Sequence, residues 1–131
     1  MTTKQPQYSA QKLLLEYRSA IWRKSAFEAV PGVGHVTLRT CMKQINLTQE
    51  LVSTLRNNKL LGEKLYWIIY SSYMTDKQPC DVDEILSGIA QKHEYIPRRT
   101  YFRLRARAIK MMDAYLIQKA SMQQCQGANC G

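Results

Sequence analysis

The sequence predicts an all-α protein, a small helical bundle of about five helices with a long last helix. Apolar side chains recur every three or four residues in successive segments, as they do along one face of a helix. The one strand-like run, YWIIY at 66–70, has no second run of comparable strength to pair with, so a sheet is not expected. The chain has 131 residues, of which 45% are hydrophobic, which is enough for one compact domain and an appended helix.

The first helix is expected to follow Ser9, whose hydroxyl is suited to cap a helix N-terminus. Its apolar stripe consists of Leu13, Leu14, Tyr17 and Ile21. A Gly/Pro-rich stretch at 31–34 ends the helix, so we assign residues 1–37 to an N-terminal amphipathic helix and linker. Residues 9–30 are expected to fold back onto the core, and the functional alternatives are a contact with a second copy in a homodimer or a contact with RNA polymerase.

Residues 38–120 are assigned to a helical domain. A helical turn or two is expected over 38–45, and a new helix is predicted at Asn46, which has capping-box spacing to Gln49. Gly62 precedes a further helix that is hydrophobic most of the way round, as expected for a helix at the centre of a bundle.

The sequence pattern near the end of this domain predicts a helix-turn-helix at about 82–112. Asp81 and Glu84 have capping-box spacing and open a helix over 82–92. The sequence HEYIP at 93–97 then forms the turn. Acidic residues at the start of this helix are favoured by the helix dipole.

The last helix is expected to begin at Pro97, because proline suits the first helical position, and to end near Lys119. Residues 121–131, rich in Gln and Gly, are expected to form a flexible tail. The buried stripe of this helix is predicted to consist of Tyr101, Leu104, Ala108, Met111 or Met112, and Tyr115.

Charge is distributed unevenly along the chain, whose net charge is +9. Residues 1–60 carry a net charge of +6, residues 61–97 a net −3, and residues 98–131 a net +6. Residues 98–110, RRTYFRLRARAIK, hold six positive charges and no acidic residue. Such a helix gains little from its own surface charges, so an anionic partner such as DNA is the favoured interpretation over a merely solvated basic face.

The candidate DNA-binding residues lie on the faces of this helix away from its buried stripe or beside the stripe. Arginine suits the role because its planar fork pairs bidentately with guanine or phosphate. The set is Arg98, Arg99, Phe102, Arg103, Arg105, Arg107 and Lys110.

Three stretches resemble region 4 of sigma-70-type factors and the related ArpU/RinA-like phage-associated regulators. They are LYWIIYSSY at 65–73, DVDEILSGIA at 81–90 and YIPRRTYFRLRARAI at 95–109. In those families the corresponding segments form a helix-turn-helix. The resemblance implies a small bacterial or phage-type transcription regulator that docks its fifth helix in the major groove of double-stranded DNA.

Two other binding functions stay open. The same basic helix could serve an adaptor that binds RNA polymerase or another acidic protein surface. RNA is a third candidate partner, although the basic stretch lacks aromatic platforms for unpaired bases, Phe102 excepted.

The sequence offers no signal for an enzyme, a cofactor or a metal. It has no glycine-rich phosphate loop, no Gly-x-Ser-x-Gly elbow and no His-rich set. The four cysteines, Cys41, Cys80, Cys125 and Cys130, lack metal-binding spacing and are expected to be reduced thiols. No apolar run suits a signal peptide or membrane span, so a soluble cytoplasmic protein without a membrane partner is expected.

Overall fold

A computed structural model describes residues 8–29 and 35–130, with side chains for 8–29 and 38–122. Within these residues the chain forms five α-helices and no strand, which confirms the predicted all-α class. A 3₁₀ turn, Leu55–Asn57, follows the second helix, and a π-helical turn, Tyr70–Met74, follows the third. The helices are α1 Ala10–Ala29, α2 His35–Thr54, α3 Gly62–Ile69, α4 Val82–Lys92 and α5 Arg98–Cys130.

The N-terminus of α1 is held by two side chains. The Ser9 hydroxyl accepts a hydrogen bond from the Lys12 amide at 3.2 Å, which confirms the predicted cap. Asp113 of α5 accepts a second one from the Ala10 amide at 2.8 Å. Since Ala10, Leu13 and Leu14 lie in the same buried cluster as residues of α3 and α5, α1 folds back onto the core.

The predicted start of a helix at Asn46 is wrong, because α2 runs without interruption from His35 to Thr54. An N-cap at Asn46 would need a non-helical backbone there, which would interrupt the helix. One continuous buried stripe instead crosses this position. That stripe is Cys41, Ile45, Thr48 and Val52. Continuing the helix keeps all four inside, and the boundary drawn at residue 37 therefore falls within α2.

Helix α3 runs through the centre of the core, and the YWIIY segment is helical as predicted. Leu65, Ile68 and Ile69 are fully buried. Gly62 permits the preceding 3₁₀ turn to approach closely, since a Cβ atom there would lie 2.7 Å from the Arg56 carbonyl oxygen.

The last helix differs from its prediction at both ends. Its first residue is Arg98, with the Pro97 carbonyl accepting the Tyr101 amide at 2.9 Å. It continues past Lys119 to Cys130, so 121–130, predicted as a loose tail, is helical. The buried stripe has the predicted spacing and consists of Tyr101, Leu104, Ala108, Met112 and Leu116. Met112 is fully buried, whereas Met111 and Tyr115 are half-buried.

Candidate nucleic-acid interface

Helix α4 begins at the predicted cap. Asp81 Oδ1 accepts the Glu84 amide at 2.9 Å, while Glu84 Oε2 accepts the Cys80 amide at 2.7 Å. The acidic Glu84 beside the exposed Cys80 thiol raises the pKa of that thiol, which favours its protonated form. Ile89 of α4 is fully buried, and Val82, Ile85 and Leu86 are partly buried and pack against the core.

The turn between α4 and α5, residues 93–97, is fastened to the core and to α3. Ile96 is only 2% exposed and joins the core cluster. The His93 ring stacks on Trp67 with centroids 4.0 Å apart, and Glu94 pairs with Lys64 at 3.7 Å. These contacts fix where α5 starts, and hence which of its faces points outward.

The outward arc of α5 carries four cations, Arg99, Arg103, Arg107 and Lys110. At about 100° per residue they fall within about a quarter of the helix circumference, opposite the buried stripe. All four side chains are exposed. We call this set the basic arc.

No carboxylate neutralises the basic arc by contact. All ten acidic side chains of the sequence lie in the part of the chain whose side chains the structure describes. The five ion pairs formed among the described residues do not include any member of the arc. The arc therefore presents its charge to solvent or to an external anion.

The remaining three predicted site residues form a separate cluster on the flank of α5 that faces α4. Arg98 Nη1 pairs with Asp83 of α4 at 3.0 Å, across an exposed surface. Phe102, 38% exposed, lies between two guanidinium groups, 5.7 Å from that of Arg98 and 5.0 Å from that of Arg105. Arg105 also donates to the Tyr101 hydroxyl at 3.4 Å, so its head group is tied to the flank.

Two residues of this region, Asp83 and Tyr95, were not among the predicted site residues. Asp83 lies in the first turn of α4, and nothing local predicts its pairing with a residue fifteen positions later. Tyr95 lies in the turn and is 75% exposed, whereas its neighbour Ile96 is buried. From the sequence alone, an aromatic residue followed by an aliphatic residue does not indicate which of the two side chains points outward.

The described residues provide neither a metal-binding group nor a membrane-spanning helix. None of them forms a group of three or more His, Cys, Asp or Glu side chains able to hold a metal ion. None of the helices searched there is both long and apolar enough to cross a membrane.

No known protein family, curated protein or solved structure matches this chain.

Proposed function

We propose that this protein is a sequence-specific DNA-binding transcriptional regulator that places the first turns of α5 in the major groove. The basic arc is the observation that carries the proposal, since four exposed cations on one side of a helix have no carboxylate partner among the described residues. The helix is the second of a helix-turn-helix, which is the position from which such proteins read DNA.

The dimensions of the arc suit a groove of B-DNA. Arg99 and Lys110 are separated by about 16 Å along the helix axis at roughly 1.5 Å per residue. The major groove is about 12 Å wide. With the leading end of α5 in the groove, Arg99 and Arg103 reach base edges and the phosphates beside them, while Arg107 and Lys110 reach phosphates only.

The cluster on the flank of α5, formed by Arg98, Phe102 and Arg105, has a different role in DNA binding from that of the basic arc. Asp83 holds Arg98 at the entry of α5, so its guanidinium is oriented before DNA arrives. Phe102 offers an apolar edge beside two cations, a combination suited to a thymine methyl group next to a phosphate. Such a regulator acts in the cytoplasm and can also contact RNA polymerase.

Alanine substitution tests the proposal directly. Selection from random duplex DNA with the purified protein supplies the target, and gel shifts then compare the wild type with Arg99→Ala and Arg103→Ala. Both variants are expected to weaken binding without changing the thermal midpoint, because both side chains are exposed. Arg39→Ala, an exposed arginine on α2, is the matched control.

Wild-type affinity in both arc variants would remove the assignment. No enriched site, together with a protein partner that persists after nuclease treatment, would instead favour the adaptor that binds an acidic protein surface through the same arc.

A further inference from the structure

Residues 98–110, at the start of α5, expose seven side chains, and five of them are cations. The other two are Phe102 and Ala106. These two are four residues apart, so they lie one above the other on the same side of the helix. Single exposed apolar residues are common on protein surfaces, so it is the alignment of two within a charged segment that indicates a contact. We call Phe102 and Ala106 the apolar strip.

The apolar strip runs along the edge of the basic arc that is nearer to α4. At about 100° per residue, Ala106 lies about 20° from Arg99, and Phe102 lies about 40° further round the helix. Arg103 and Lys110 are three and four residues from Ala106 and therefore flank it on the helix surface. A base edge that Arg99 and Arg103 reach is consequently within reach of the strip as well.

Ala106 has the shortest side chain on this exposed side of the helix. Its neighbours on the helix surface are longer, so its methyl group lies in a gap between Phe102, Arg103 and Lys110. The edge of a base pair can enter this gap while the arginine and lysine side chains reach past it. A larger residue at position 106 would hold the helix further from the bases.

The ring of Phe102 is held in place by its own protein. It packs edge to face against the buried ring of Tyr101, with centroids 5.2 Å apart. The guanidinium groups of Arg98 and Arg105 lie 5.7 Å and 5.0 Å from its centroid. Because three side chains restrain the ring, its outward edge is in position before a ligand arrives, and little freedom is lost on binding.

We infer, on the basis of the proposed DNA-binding function, that the apolar strip contacts the C5-methyl groups of thymines and that Ala106 is a specificity-determining residue. Thymine is the base that presents an apolar group in the major groove, and alanine and phenylalanine both contact that group. The two residues are about 6 Å apart along the helix axis, and stacked base pairs are about 3.4 Å apart. The contacted thymines are therefore expected one or two base-pair steps from each other.

Replacement of thymine by uracil in the duplex tests the contact, because uracil differs from thymine only in lacking the C5-methyl group. Selection from random duplex DNA with the full-length protein supplies the site, and each of its thymines is then replaced singly. Fluorescence anisotropy is expected to show about fourfold weaker binding at one or two positions, the effect of one buried methyl group. At one of these positions, Phe102→Ala should bind the thymine and uracil duplexes equally.

Ala106→Leu tests the second residue of the strip. The added bulk is expected to weaken binding to the selected site about tenfold or more, as the loss of a base contact does. Binding to an unrelated duplex, which depends on phosphate contacts, should change by less than about twofold. Leucine is a good helix former and position 106 is exposed, so the variant is expected to fold.

Two matched controls lie further along the same helix. Ala114→Leu makes the same change at another exposed alanine. Ile117→Ala removes an apolar side chain that is 46% exposed. Both controls are expected to keep the affinity and the uracil response of the wild type, and circular dichroism checks the fold of every variant.

The outcomes distinguish the thymine contact from DNA binding itself. If Arg99→Ala and Arg103→Ala weaken binding but no uracil replacement does, the strip does not contact methyl groups, although the proposed function stands. Wild-type binding by Ala106→Leu, or an unchanged uracil response of Phe102→Ala at every position, would also overturn the inference. If no duplex is enriched, the proposed function fails, and the thymine contact fails with it.

Discussion

Replacing the cations of the basic arc by alanine one at a time is expected to reduce the salt dependence of DNA binding in equal steps. Each phosphate contact contributes about 0.9 to the slope of log K against log salt on B-DNA. Because none of the four makes an ion pair among the described residues, each is free to release counterions from DNA. The quadruple variant of Arg99, Arg103, Arg107 and Lys110 should therefore lose about 3.6 from the slope.

The measurement is fluorescence anisotropy on a labelled duplex at several salt concentrations between roughly 50 and 200 mM. Thermal unfolding by circular dichroism checks that every variant keeps the wild-type fold. Arg39→Ala on α2 is the control for removal of one positive charge from an exposed site outside α5. An unchanged slope in the quadruple variant would refute the phosphate contacts. A loss of about 0.9 in Arg39→Ala would show that net charge, not the arc, sets the effect.

Four further substitutions test the architecture around the arc. Asp83→Asn should strengthen DNA binding measured by anisotropy, because the amide oxygen can still hold Arg98 in place while the negative charge that opposes DNA is removed; weaker binding would contradict this. Gly62→Ala should lower the free energy of unfolding in urea by about 1–3 kcal/mol, since its Cβ would lie 2.7 Å from a backbone oxygen. Gly88→Ala should raise it by up to about 1 kcal/mol, because its Cβ meets nothing within 4 Å inside a helix; an increase for Gly62→Ala or a decrease for Gly88→Ala would contradict the corresponding argument. Tyr101→Phe should lower it by about 1 kcal/mol, because it removes the buried hydrogen bond to Ser72, 2.7 Å long, and the longer one from Arg105 at 3.4 Å; an unchanged urea midpoint would show that the two bonds together contribute nothing.

Features that depend on one or two helical turns could be predicted from the sequence. The caps at Ser9 and Asp81 depend only on a side-chain oxygen and an amide three residues later. The buried stripe of α5 depends only on helical periodicity, which also predicts the outward position of Arg99, Arg103 and Lys110, whereas Arg107, expected beside the stripe, lies on the exposed side with them.

Features that depend on tertiary contacts could not be predicted from the sequence. The Asn46–Gln49 spacing is a genuine capping pattern, and it was overruled because burying Ile45 and Thr48 on one stripe requires an unbroken helix. The pairing of Arg98 with Asp83 likewise depends on where α4 lies, whereas the grouping of Arg98 and Arg105 around Phe102 follows from their spacing along α5.

Whether Lys110 of the basic arc has an ion-pair partner depends on how α1 packs against α5. Lys110 and Asp113 are three residues apart on α5, a spacing at which opposite charges pair on a helix. The structure instead directs Asp113 to the Ala10 amide, 103 positions away, where the dipole of α1 also favours an anion. Lys110 is consequently left without a carboxylate among the described residues, and docking of α1 keeps the last cation of the arc available to a polyanion.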